Sequence, residues 1–145
     1  MFSKFRVCAT LTLAIATVVS ASAADLSVTK AWFRALPSDL PAGGYFSLHN
    51  AGGEPAVLVA ADSPVCGMVM IHQSVQSSGV SRMNDVPSVT VPAGGTVDFA
   101  PGSYHLMCTN PGAAMTPGRR VPVTFVFADH RKIEAVFAVK NAAGK

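Results

Sequence analysis

A chain of 145 residues, half of them hydrophobic and 13% charged, has room for one domain around a single core and little else. The formal charge of +3 overstates the basicity of that domain. Lys4 and Arg6 lie in a removable N-terminal segment, leaving nine basic against eight acidic residues, a net of about +1. The remaining Lys and Arg form no cluster, only the isolated pairs Arg119-Arg120 and Arg131-Lys132 at expected turns, so the composition argues against a nucleic-acid partner.

The first two dozen residues read as a secretory signal. Lys4 and Arg6 make a short positive region, residues 7–20 are almost wholly apolar or small, and Ala21-Ser22-Ala23 supplies the small residues that a signal peptidase reads. The apolar run is too short and wrongly flanked for a membrane span, although a retained apolar anchor is the alternative. Cleavage is expected before Ala24 or Asp25, dividing the chain into a signal peptide at 1–23 and one domain at 24–145. No membrane insertion is expected after cleavage. Cys8 lies too early to be a lipid attachment site. The processed chain, about 120 residues, is long enough to bury a core without metal or disulfide support.

From Ser27 onward the sequence reads as all β. Runs of four to eight residues rich in Val, Phe, Thr and Tyr alternate with clusters of Gly, Pro, Asn and Asp. Strands are predicted near 27–34, 45–50, 56–61, 68–75, 79–83, 88–91, 95–100, 104–109, 121–128 and 131–139. Alternation is clearest late in the chain. Val123, Phe125 and Phe127 share one face of their strand, and Ile133, Ala135, Phe137 and Val139 share one face of the next. Residues 37–44 and 110–120 read as loops. Many short strands at this spacing predict a two-sheet sandwich or barrel with Greek-key links.

The chemistry concentrates in residues 72–107. His72, Met83, His105 and Met107 follow one another in the pattern His-x10-Met-x21-His-x-Met. Imidazole nitrogen together with thioether sulfur suits copper, above all Cu(I), better than zinc, magnesium or calcium. In an oxidising compartment thioethers also escape the oxidation that threatens a thiolate site. Strand parity sets His105 and Met107 on one face, with Tyr104, Leu106 and Cys108 on the other. By the same rule Met68, Met70 and His72 oppose an inward Val69 and Ile71. A turn at 76–78 would bring Met83 back toward His72.

Other residues carry alternatives. Cys66 and Cys108 are an even pair in an exported chain and candidates for a disulfide. Parity complicates that pairing, because Cys66 shares the nominal face of His72 while Cys108 faces away from His105; a bulge at Gly67 would reconcile them. Two buried thiols, or redox control of the neighbouring site, are the other readings. Met68 and Met70 can extend the thioether surface or simply pack against a loop. Met115 can cover the site from its Pro/Gly loop. His49 and His130 read as structural or solvated, and Trp32 as an anchor of the first strand.

The four-ligand pattern resembles that of the periplasmic copper chaperones of the PCuAC family. So do Ala31-Trp32, Ala42-Gly43-Gly44-Tyr45-Phe46, Met70-Ile71-His72, Val91-Pro92-Ala93-Gly94-Gly95, Pro101-Gly102-Ser103-Tyr104-His105-Leu106-Met107 and the later Pro117-Gly118. The resemblance implies a cupredoxin-like Greek-key β-sandwich. It also implies a periplasmic carrier that holds Cu(I), with Cu(II) a second possibility, and delivers it to the CuA centre of cytochrome c oxidase. The partner would be an apo CuA-bearing oxidase subunit or another periplasmic copper chaperone. Cys66 and Cys108 stand outside the ligand pattern. The chain ends at Asn141-Ala142-Ala143-Gly144-Lys145 without a His- or Met-rich tail, so no second metal site is expected there.

Two other functions compete. A blue-copper electron carrier needs two His, a Cys thiolate and a weak axial Met, with the Cys normally before the second His and the Met. Here Cys108 follows both His105 and Met107. A metal-free secreted binding domain is the second rival. No Ser-His-Asp constellation, phosphate-binding glycine loop or His-Glu-x-x-His motif is readable, so an enzyme is not expected.

Overall fold

The computed structural model describes residues 23–145. Residues 1–22, with Lys4, Arg6, Cys8 and nearly all of the expected signal peptide, lie outside it. A single 3-10 turn, Ala23–Asp25, leads into ten strands: β1 (Leu26–Arg34), β2 (Ala42–Asn50), β3 (Ala56–Asp62), β4 (Met68–Ser77), β5 (Val80–Asp85), β6 (Val89–Val91), β7 (Thr96–Phe99), β8 (Tyr104–Thr109), β9 (Arg120–Phe127) and β10 (Lys132–Lys140). Each predicted strand has its counterpart. β2 starts three residues earlier than expected, at Ala42, which shortens the preceding loop.

All ten strands join in one hydrogen-bonded sheet, in the order β5-β4-β8-β7-β2-β1-β10-β9-β3-β6. β7 and β8 divide β2 between them: β7 pairs with Phe46 to His49, and β8 with Ala42 to Gly44. The sheet curls over on itself. Phe46 of β2 and Phe125 of β9 have ring centroids 4.9 Å apart although β1 and β10 intervene between their strands. Flat strands about 4.8 Å apart would separate them by roughly three such spacings. Phe33, Phe46, Phe99, Phe125 and Phe137 fill the space so enclosed.

Alternation explains that filling. In β9 the residues Val121, Val123, Phe125 and Phe127 are buried, with partly exposed neighbours between them. In β10 the inward face holds Phe137 and Val139, with Ile133 and Ala135 packed against the core edge. One bulge matters for the site. Between Thr29 and Trp32 the register of β1 on β2 slips by one residue, with Lys30 at a φ of 55°. The slip reverses the parity of β1, so Trp32 stands opposite Tyr45 and Arg34 opposite Gly43.

Candidate metal centre

β8 lies between β4 and β2 and sets the register of the site. His105 stands directly opposite His72 across the β4–β8 ladder, and Met107 directly opposite Met70. Opposed residues share a face, so β8 and β4 present two His and two Met as adjacent rows. The imidazole rings of His72 and His105 are 5.7 Å apart and nearly perpendicular. On the other face of β8, Leu106 and Cys108 are fully buried, and Ile71 of β4 faces the core beside Leu106.

Met83 arrives from β5. The β4–β5 hairpin closes through Ser78 and Gly79, both with positive φ (49° and 78°), and not through a turn at 76–78. Two left-handed residues make the tight hairpin turn that matches strand twist. The resulting register sets Met83 opposite Ser74 and Asp85 opposite His72. Met83 is thus a diagonal neighbour of His72 on the same face, within reach for long side chains at about 7–8 Å, and is 61% exposed. All four residues of the sequence pattern therefore lie on one face of β5-β4-β8.

A cleft of about 260 Å³ opens on this face, lined by Arg34, Tyr45, Ser74, Met83, His105 and Met107 among others. Its wall depends on the β1 bulge. Trp32 packs on Tyr45 with centroids 4.9 Å apart, and the Arg34 guanidinium lies 5.3 Å from the centre of the Tyr45 ring. Tyr45 in turn lies 6.4 Å from His105. This wall helps to cover His105, which is only 4% exposed.

The two imidazoles differ in their partners. His105 Nδ1 lies 3.3 Å from the carbonyl oxygen of Ser103, while its Nε2 is buried with no hydrogen-bond partner. Burial lowers the pKa of His105; the Ser103 carbonyl works against this, and the nearby His72 adds to it. Removing water disfavours the imidazolium, so the ring is held in the neutral form that a metal requires. His72 Nε2 lies 2.9 Å from an Asp85 carboxylate oxygen. That oxygen stands off the direction of a ring N–H, so the contact is a close approach without hydrogen-bond geometry, and Nδ1 is buried without a partner. Buried polar atoms without partners are few in native proteins and call for a reason. Three of the four such atoms among the described residues belong to these two rings.

Among the described residues no group of three or more His, Cys, Asp or Glu is arranged to hold a metal. A metal on this face would therefore have to draw on the thioethers, which would favour a soft ion. Met70 is half-buried beside Met107, whereas Met68 is 57% exposed opposite Thr109 at the far end of the ladder.

Cys66 and Cys108 are bonded to each other, with Cα atoms 5.4 Å apart. The parity conflict disappears because Cys66 lies before β4, where Gly67 N–H donates to the Thr109 and Asn110 carbonyls, so strand alternation does not reach it. Met115 does not cover the site: it is buried in the core from the loop before β9. His49 Nδ1 is 2.8 Å from the Thr96 hydroxyl, and His130 occupies the β9–β10 turn with a φ of 69°; both lie away from the cleft lining. Asp85 escaped the sequence reading. Recognising Ser78-Gly79 as a two-residue turn would have placed it opposite His72.

The family model described as "Putative lipoprotein LpqE-like" matches residues 26–139. The chain is 30% identical over 120 residues to "Putative lipoprotein Lxx21020" of Leifsonia xyli, covering 82% of this chain and 72% of that protein. It is 34% identical over 87 residues to the uncharacterized protein RP573 of Rickettsia prowazekii, spanning 48% of that protein's length and 59% of its own. Among solved structures it is similar to the copper-bound PCuAC domain from PmoF2, with a TM-score of 0.67 and 20% identity over 81% of this chain and 93% of that one. It is also similar to Cu(I)-DR1885 from Deinococcus radiodurans, with a TM-score of 0.64 and 29% identity over 81% of each. These likenesses identify the curled sheet as a cupredoxin-like sandwich with the fold of the PCuAC domains, and the chain belongs to the LpqE-like family.

Proposed function

We propose that this protein is a copper carrier that holds Cu(I) on the β5-β4-β8 face and gives it up by ligand exchange. His72, Met83, His105 and Met107 are the ligands in this reading, with Met70 beside them. The observation that carries it is the direct opposition of His72 and His105, each with a buried imidazole nitrogen lacking a partner, between two rows of thioethers. The 29% identity to Cu(I)-DR1885 supports the choice of metal and of oxidation state. Cu(II) is the secondary cargo, because imidazoles serve both states while thioethers favour the reduced one.

Residues 24–145 act as the carrier after removal of the signal at 1–23, in the periplasm or an equivalent exported space. The lipoprotein description of the family supports export, and among the described residues no helix is long and apolar enough to cross a membrane. The recipient is the apo CuA centre of cytochrome c oxidase or an intermediary copper chaperone. A carrier needs an accessible site and no general base or activated water, so no catalysis is assigned. A blue-copper electron carrier is disfavoured because it requires a thiolate, whereas Cys66 and Cys108 are bonded to each other.

Competition of the purified protein with a Cu(I) chelator tests the site. One equivalent of Cu(I) should bind, and Met83→Leu and His105→Ala should each weaken binding about tenfold or more, the loss of at least 1.4 kcal/mol. Stoichiometric binding unaffected by both changes would overturn the ligand assignment, and no binding of Cu(I) by the unaltered protein would favour a metal-free binding domain. Incubation of the loaded protein with an apo CuA-bearing subunit should generate the CuA absorption, and its absence would remove that recipient.

A further inference from the structure

Asp85 has no place in the four-residue pattern, yet its carboxylate is the acidic group that meets the histidine pair. It stands directly opposite His72 in the β4–β5 ladder, and one oxygen lies 2.9 Å from His72 Nε2. A carboxylate oxygen carries only lone pairs and negative charge. An imidazole nitrogen at that distance would repel it unless the nitrogen bore a proton. In the neutral His72 ring the proton therefore belongs on Nε2, and the lone pair falls to Nδ1, which is buried and unpartnered.

His105 is set the other way round. The acceptor at its Nδ1 is the Ser103 carbonyl, which calls for the proton on Nδ1 and leaves the buried Nε2 with the lone pair. Each ring thus has one nitrogen close to an oxygen, and its other nitrogen, His72 Nδ1 or His105 Nε2, is buried without a hydrogen-bond partner. A metal-ligating histidine backed by an oxygen acceptor has its tautomer and ring orientation set by that partner, and a carboxylate also raises its basicity.

We infer that Asp85 is a positioning residue of the copper site, holding His72 as the Nε2–H tautomer so that Nδ1 binds copper while His105 binds through Nε2. The inference rests on the copper-carrier reading above. Asp85 acts from behind the ring and not as a ligand: His72, His105 and Asp85 do not make a group able to hold a metal by themselves. The Asp85 side chain is 88% exposed and that of His72 only 13%, so the carboxylate can be altered without opening the core. Its charge also offsets the single positive charge of Cu(I), which a set of neutral His and Met ligands would leave unbalanced.

Long-range 15N–1H correlation spectra of the imidazoles, in the apo and Cu(I)-loaded full chain, report the tautomers directly. His72 should carry its proton on Nε2 and His105 on Nδ1. Asp85→Ala should convert His72 to a tautomer mixture and weaken Cu(I) ten- to a hundredfold. Asp85→Asn, whose amide oxygen can take the place of the carboxylate oxygen beside Nε2, should restore the tautomer and part of the affinity. A loaded wild-type protein with the His72 proton on Nδ1, or an Asp85→Ala variant unchanged in both tautomer and affinity, would overturn the inference. His105→Ala in the same titration separates the two failures. If it weakens binding while Asp85→Ala does not, only the role of Asp85 falls; if it binds like the wild type, the copper site falls and the role of Asp85 with it.

Discussion

Gly43 and Gly44 show how narrowly the floor of the site is built. A Cβ on Gly43 would come within 2.8 Å of the Tyr45 hydroxyl, the far end of a side chain that can swing aside. A Cβ on Gly44 would come within 2.7 Å of the Phe33 ring and 3.1 Å of the Leu106 Cβ. Those two residues stand opposite Gly44 on its two sides, and both are fully buried. Neither can move without displacing the core, so Gly44→Ala should cost about 1–3 kcal/mol. Chemical denaturation measures this, and an unchanged midpoint would show that the Phe33 ring has somewhere to go. Gly43→Ala should instead be mild in stability and alter the wall beside His105. Both glycines were visible in the sequence as a motif, but their reason was not, because it lies in strands that are distant in the chain.

At the scale of elements, the β4–β8 pair carries the site, and the Cys66–Cys108 bond closes one end of it. Cys108 stands opposite Val69 in the ladder that also aligns Met70 with Met107 and His72 with His105. The cysteines are separated by 42 positions. Closing a loop of that length in the unfolded chain is worth about 4 kcal/mol in the entropic model, and measured effects centre on about 2–4 kcal/mol. A Cys66→Ala/Cys108→Ala double variant should lose stability of that order in urea denaturation. Faster amide hydrogen exchange in β4 and β8 than in β9 and β10 would locate the loss; uniform loosening would show that the bond stabilises the fold without a special hold on the site. The pairing could not be settled from parity, since alternation is a rule for strand residues and Cys66 precedes its strand.

At the scale of the molecule, the face that carries His72, Met83, His105 and Met107 and the aromatic cluster of the core occupy different parts of one sheet. Strands β1, β2, β9 and β10 supply the aromatic cluster of Phe33, Phe46, Phe125 and Phe137, while β5-β4-β8 runs out to an edge whose last strand, β5, is exposed throughout. Arg82 and Asp85 on that edge discourage pairing with another chain, and the open position leaves Met83 accessible. Phe125 packs on Phe46 across the curl of the sheet and on Phe137 of the neighbouring β10. Phe125→Ala should therefore cost about 3–5 kcal/mol, read as a large fall in Tm. A small fall would mean that the two layers hold together without this contact.

By itself the sequence determined the all-β character, the number and approximate positions of the strands and the face on which His105 and Met107 lie. Period-two alternation is a local property, and Val121 to Phe127 express it in full. The residue types and spacings also singled out His72, Met83, His105 and Met107. Only the tertiary structure decided who stands opposite whom: His72 facing His105, Met70 facing Met107, Asp85 reaching His72, and Trp32 turned toward Tyr45 by an unannounced bulge. Register depends on which two residues turn a hairpin and which distant strand arrives alongside. Both are settled by long-range packing, which no local pattern encodes.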